Sequence, residues 1–406
     1  MFKRIIFFIV PLLFLFNSCG DNPFETEPED VIERGEIVEI ISENELSLEE
    51  LQAMFESFAG SGGVEINLRN GVKIYSVIYR TIDYRGNSTD ASGVFVIPQT
   101  SGTYPLMSLH HGTQSKRDNV GSQNILSSAD ALLAGALGYV ALSADMLGLG
   151  ISQMVHPYHV ADVNAATVID FIRAVKKYSS ENNIGLNGQL FLAGYSQGGY
   201  TTMAVHKKMQ EELFAEFSVT ASAPMAGAQD LMGTAKHVVE NDNYEKPSFL
   251  AFIIYAYSEV YRWNDLSLFF REPYNNLIST LFNGTLTTDD IDEILPNKLS
   301  ELFTPSLIDS IKSSGGGVVV EKLKENSLLN WAPQAPVLIV HGDADDFVPY
   351  QNALSAKENW EANGALSVEL ITIEGGTHYT SILPAVFYAM SWFENFRTDV
   401  RLASNF

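Results

Sequence analysis

One serine sits among glycines in the stretch GYSQGG, residues 194–199, between the apolar run LFLAG and the helix-like GGYTTMAVHKKMQEEL. Strand, sharp turn and helix in that order are what pushes a serine hydroxyl outward, with the positive end of the helix facing any anion that forms there. Ser196 is therefore the candidate nucleophile, and a hydroxyl of ordinary pKa needs a base beside it. Of eight histidines, His378 stands in EGGTH, on a glycine-rich loop after the last predicted strand, a position that overlies the carboxyl edge of a parallel sheet. His206 falls within a predicted helix and His341 at a strand end, where each reads as a satisfied structural histidine; His237 lies in an inserted region and can face either way. A carboxylate must fix the imidazole tautomer, and HGDADDFVP offers three, Asp343, Asp345 and Asp346. An oxyanion would need donors as well. The backbone N–H of Gln197, directly after the nucleophile, is one, and Thr113, after the His-Gly pair of PLMSLHHGT, is the expected second, through its N–H and its hydroxyl. His110 and His111 are expected to shape that loop, with a place near the acyl site considered for His111.

The elements that must hold these residues follow from periodicity. LSLEELQAMFESF predicts a short leading helix over 46–58, and VKIYSVIYRTI and ASGVFVIP, split by DYRGNSTD, predict an antiparallel hairpin. PLMSLHHG, YVALSAD, LFLAG, SVTASAPMAG, PVLIVHGDAD and SVELITIE are short apolar runs, the pattern of strands buried on both faces of a mostly parallel sheet. Helices are predicted over 125–137, 160–178, 198–214, 350–363 and 381–396. The sum is an α/β chain with an eight-stranded sheet and helices on both faces. Residues 231–332 break the alternation and predict an inserted helical cap, so that the core runs over 61–230 and resumes over 333–406. Within the insert, Phe252, Tyr255, Tyr257, Tyr261, Trp263, Phe269 and Phe270 form an aromatic stripe that either lines a pocket or packs, packing being the commoner use of such a stripe. Gly315 to Gly317 lack the spacing of a phosphate loop and read as a hinge.

Composition narrows the partners. Among 406 residues, 49 are acidic and 25 basic, a formal charge of −24 that repels phosphate backbones, so no nucleic-acid role is expected. Lys3 and Arg4 precede an apolar run from Ile5 to Phe16, too short to span a bilayer comfortably, which reads as a signal peptide over 1–18. The chain's one cysteine, Cys19, stands where that signal would be cut. FNSC is similar to the box of bacterial lipoprotein precursors, which implies lipidation of Cys19 and a lipid anchor in the bacterial cell envelope; the acidic run just after it resembles that of outer-membrane lipoproteins exported to the cell surface, which implies an outer-membrane anchor and a surface-facing domain. Residues from Gly20 to about Glu45 are acidic and poor in aromatics, as expected of a solvated tether within 19–60.

Several stretches together resemble the secretory lipase family of α/β hydrolases: GYSQGG, HHGTQS, GYVALSADMLGLG, HPYHVADVNAATVIDFIRA, HGDADDFVP and IYRTIDYRGNSTDASGVFVIP. In that superfamily's use of the Asp-rich motif the acid is the third residue after the glycine, which selects Asp345 and yields the hydrolase order Ser196, Asp345, His378. Asp343 and Asp346 would then be a turn carboxylate and a solvated one. The resemblance implies cleavage of carboxylic esters through an acyl-enzyme, without metal or organic cofactor, but does not name the ester: a small-molecule or lipid ester is the expected substrate, with short-chain, lipid and polysaccharide-attached esters all open. The cap has no matching landmark, and the disulfides common in secreted fungal members cannot form within a chain whose one cysteine is Cys19. Two rival functions share these residues: a serine peptidase on the same fold, and a ligand-binding surface lipoprotein that has lost catalysis.

Overall fold

The computed structural model describes residues 33–59 and 67–398; Cys19 and the segment expected to be a signal peptide lie outside them. The first described element is β1 (Ile37–Leu46), followed by α1 (Leu48–Ala59), β2 (Val72–Ile82), β3 (Ser88–Pro98) and β4 (Thr103–His110). Next come α2 (Ala129–Ala136), β5 (Val140–Ala144), α3 (Ala161–Glu181), β6 (Gly185–Tyr195), α4 (Gln197–Glu212) and β7 (Ala221–Met225). The seven helices of the insert are α5 (Leu231–Asn241), α6 (Pro247–Tyr261), α7 (Tyr274–Leu281), α8 (Thr288–Asp292), α9 (Leu299–Leu302), α10 (Pro305–Ser313) and α11 (Val318–Asn326). The chain closes with β8 (Val337–Gly342), α12 (Gln351–Ala362), β9 (Val368–Ile373) and α13 (Ile382–Phe393).

The strands form one sheet of order β1-β2-β3-β5-β4-β6-β7-β8-β9. From β5 to β9 all neighbours are parallel, while β1, β2 and β3 continue the sheet by antiparallel pairing. Strands β4, β5, β7 and β8 are buried along nearly their whole length, which is why they read as uninterrupted apolar runs and not as alternations. One face of the sheet packs on α1, α2 and α13, the other on α3, α4, α12 and the inserted helices. Phe191 on β6 is fully buried and meets Tyr139 and Phe393 edge-on at 5.7 and 5.1 Å; its truncation to Ala would cost about 3–5 kcal/mol.

The sheet has nine described strands where eight were expected, and the ninth corrects the reading of the tether. Residues 37–46 form β1, an edge strand whose exposed half carries Glu39, Glu43 and Glu45. Charge on an exposed edge keeps it from pairing with another chain, and the same charge makes the segment look like linker. Just ahead of it, Arg34 grips the fully buried Asp170 of α3 at 2.6 and 2.8 Å, and Arg173 and Thr81 complete that carboxylate's shell. The helix expected from Ile125 starts as a 3-10 turn over Ile125–Ser128 before α2.

Candidate active site

At the end of β6 the chain turns through Ser196 with φ +59° and ψ −119°, a conformation costly for a residue with a Cβ, and enters α4 at Gln197. The turn is possible because a Cβ on Gly198 would lie 1.8 Å from the carbonyl oxygen of His110. Ser196 Oγ is 2.9 Å from His378 Nε2, and His378 Nδ1 is 2.7 Å from Asp345 Oδ2. His378, nominated by its place after the last predicted strand, and Asp345, selected by the family resemblance, thus lie in one hydrogen-bonded chain with Ser196.

Each member is held from several sides. Asp345 is fully buried through its side chain; its Oδ1 accepts the N–H groups of Phe347 and Val348 at 2.9 and 2.8 Å. Burial pushes its pKa up, but hydrogen bonds from His341 and His378 outweigh that and hold the carboxyl well below the usual range. His341, read from sequence as merely structural, lies on the candidate acid: its Nε2 is 3.2 Å from Asp345 Oδ2 and 2.9 Å from the Val348 carbonyl. The backbone of His378 is fixed as well. Asp346 Oδ1 accepts its N–H at 3.3 Å, and the Tyr195 hydroxyl donates to its carbonyl at 2.6 Å. Asp343 accepts from the Gly375 N–H at 2.7 Å, closing the same loop. Asp346 was expected to be solvated; it is exposed yet bonded to the histidine loop.

The other histidines sort by contact. His110 is buried between Ser108 and Thr202 and burial lowers its pKa to about 3; His206 is buried against Ser222 and lowered likewise to about 3. His111 is held between the carbonyls of Gly112 and Asp145, and His237 is exposed on α5. Thr113, expected to offer its hydroxyl, has it 2.7 Å from that of Tyr158. As first residue of α4, Gln197 carries one of the four N–H groups that a helix leaves unpaired.

A pocket opens at Ser196, with about 530 Å³ of empty space counting the solvent at its mouth. Leu231, Ala235, Val238, Leu250, Ile253, Phe249 and Val348 line most of it, with Thr234, Gln197 and His159 as polar members; none of its lining residues is acidic. Not one of the seven nominated aromatics of the insert lines it. They pack: Phe252 stacks between Tyr158 and Phe282, Tyr257 is buried with its hydroxyl on the His159 carbonyl, and Phe270 packs on Phe303. Their neighbours on the same helix, Phe249, Leu250 and Ile253, face the pocket, a distinction that helical spacing does not make until one knows which side the serine is on.

A mostly parallel sheet with helices on both faces and a serine at the strand-to-helix elbow defines an α/β hydrolase. The chain belongs to the secretory lipase family, whose model matches residues 114–402. Among solved structures it is similar to the rice cell wall degrading esterase LipA from Xanthomonas oryzae, with 26% identity and a TM-score of 0.82 over 90% of this chain and 100% of that one. A candidate hydrolase from Legionella pneumophila is as similar, at 26% identity and a TM-score of 0.81 over the same 90% and 100%. Candida antarctica lipase A shares the fold, at 14% identity and a TM-score of 0.66 over 91% of this chain and 84% of that one. No curated protein sequence matches. The protein is a carboxylic ester hydrolase.

Proposed function

We propose that this hydrolase works through Ser196, His378 and Asp345, and that it is an esterase for aliphatic acyl groups anchored to the bacterial cell envelope. The observation that carries the reading is the relay of 2.9 and 2.7 Å from Ser196 through His378 to Asp345, ending at an apolar pocket. In the first step His378 Nε2 takes the Ser196 proton as Oγ attacks the ester carbonyl. Asp345 stays ionised, fixes the Nδ1–H tautomer and stabilises the imidazolium. The oxyanion is received by the N–H groups of Gln197 and Thr113. The imidazolium then protonates the departing alcohol, leaving an acyl-Ser196 that water cleaves by the reverse sequence.

The peptidase alternative needs a carboxylate to hold a free substrate amine, and the absence of any acidic residue from the pocket lining favours an ester with a hydrocarbon acyl group. Lipidation of Cys19 and a place at the outer membrane rest on the sequence alone. The first test is hydrolysis of p-nitrophenyl esters from acetate to palmitate beside Ser196→Ala, with a fluorophosphonate probe. Turnover and labelling lost together in the variant are expected; turnover that survives in Ser196→Ala would sink the reading. For the anchor, detergent phase partitioning of the full chain should shift to the aqueous phase on Cys19→Ala, and equal partitioning of both proteins would refute lipidation.

A further inference from the structure

The stretch HPYH, residues 156–159, belongs to no part of the relay, yet it touches both residues placed at the oxyanion. We infer that His156 and Tyr158 are positioning residues that set the two oxyanion donors, His156 through Gln197 and Tyr158 through Thr113. The inference rests on the catalytic reading above and goes beyond it.

On the first side, His156 Nδ1 lies 2.7 Å from the carbonyl oxygen of Leu147, so that nitrogen must carry the proton. Nε2 is then an acceptor, and the Gln197 side-chain amide donates to it at 2.6 Å. Both residues are almost entirely buried, at 3% and 1% exposure, so no water competes for the bond. Burial lowers the His156 pKa to about 4, against smaller opposing hydrogen bonds, and the ring keeps this pattern at neutral pH. Gln197 bears the backbone N–H that would meet the oxyanion, so anchoring its side chain removes rotation from the residue that must not move.

On the second side, the Tyr158 hydroxyl is 2.7 Å from Thr113 Oγ1, two residues along the chain from His156. One short segment therefore spans both donors and fixes the distance between them. It is itself fixed at both ends of the stack. Below, a Cβ on Gly148 would lie 2.3 Å from the His156 backbone nitrogen, so the segment rests directly on the loop after β5. Above, the Tyr158 ring stacks on Phe252 of α6 at 4.7 Å and 12°, and Phe252 on Phe282 at 4.5 Å and 16°. The cap thus presses the bracket against the oxyanion loop.

The test separates positioning from folding. Tyr158→Phe keeps the stack and removes only the hydroxyl, and Thr113→Val removes the same bond from the other side. With p-nitrophenyl butyrate, Tyr158→Phe should lower kcat by about 10–100-fold, the scale of a misplaced donor, with KM within about twofold. Binding of an alkyl trifluoromethyl ketone, whose adduct with Ser196 places an oxyanion in the hole, should weaken by the same factor. The double variant should be no worse than the poorer single one, and Thr113→Ser, which keeps the hydroxyl, should restore most of the rate. His156→Asn should reproduce the ketone effect from the Gln197 side. A Tyr158→Phe enzyme with unchanged kcat and unchanged ketone affinity overturns the inference while leaving Ser196 catalysis standing, as does a rate loss with no loss of ketone affinity. Ser196→Ala run alongside reports on the underlying reading by itself: a variant as active as the parent would overturn both.

Discussion

Acidification to pH 5.5 should destabilise this protein sharply, because four histidines are buried as neutral rings. His110, His156, His159 and His206 are 1–4% exposed, and burial lowers their pKa values to about 3, 4, 3 and 3. In the unfolded chain each would titrate near about 6.5. The sign follows: between the unfolded and folded values the unfolded state binds protons that the folded state refuses, so stability falls as pH drops below about 6.5. For one such ring the loss is about 1.4 kcal/mol at pH 5.5 and under about 0.1 at pH 7.5. Four rings together lose about 5–6 kcal/mol, comparable with the whole stability of an ordinary domain at about 5–15. Asp130 and Asp145, whose carboxyls burial pushes up, work in the opposite direction and trim the loss at the acid end. Urea unfolding at pH 7.5 and 5.5 measures the difference directly. His206→Gln, far in function from the serine and bonded in the parent to Ser222, isolates one ring, and its drop between the two pH values should be smaller by about 1.4 kcal/mol. A parent whose stability is flat over this interval, or a variant with the parent's full drop, would refute the reasoning.

Three further outcomes are expected. Asp345→Asn should cut kcat about a thousandfold or more by spoiling the His378 tautomer, whereas Asp346→Asn, which touches only the His378 backbone, should stay within about tenfold; equal losses in ester hydrolysis would void the assignment. Along the p-nitrophenyl series kcat/KM should climb about fourfold per methylene while the pocket fills, at about 0.8 kcal/mol each, and Val238→Trp should move the optimum to shorter acyl chains; an unmoved optimum would place the acyl group elsewhere. Gly198→Ala forces a Cβ to 1.8 Å from the His110 carbonyl and should cost at least about 3 kcal/mol in thermal or urea unfolding; a variant as stable as the parent would mean the elbow relaxes easily.

The parts of this molecule that local chemistry dictates were open to reading in the chain. The elbow is legible because only glycine fits at 198 and only a strained turn uses it; β4, β5, β7 and β8 are legible because strands buried on both faces contain little but apolar residues. β1 was not, since a charged edge strand and a charged linker have the same composition, and what distinguishes them is the partner β2 that follows 25 or more residues later. The pocket residues were not legible for a related reason. Phe249, Leu250 and Ile253 share α6 with Phe252 and Tyr257, and all are apolar or aromatic at helical spacing; the face turned to Ser196 is decided by how the insert docks, which no local pattern encodes. His341 is the buried, bonded histidine expected of a strand end, but its contact with Asp345 was not legible, because a strand-end histidine can bond either to the backbone or across to the next loop, and here it does both.

The acidic loop HGDADDFVP illustrates how one stretch serves chemistry and placement at once. Asp345 is turned inward, where the N–H groups of Phe347 and Val348 and two imidazoles leave it no reason to accept a proton. Asp343 and Asp346 stay at the surface, and each takes a backbone N–H of the segment that bears His378. The imidazole of His378 is therefore tied by its ring to one carboxylate and by its main chain to the next. Surface ion pairs seldom contribute much stability, but on the proposed reading a carboxylate accepting a backbone N–H beside His378 limits where that base can sit relative to Ser196, and a displacement of about 1 Å there would cost two orders of magnitude in rate. If His378 is the base, as proposed, the three aspartates within four residues serve to hold it 2.9 Å from the serine from both its ring and its backbone side.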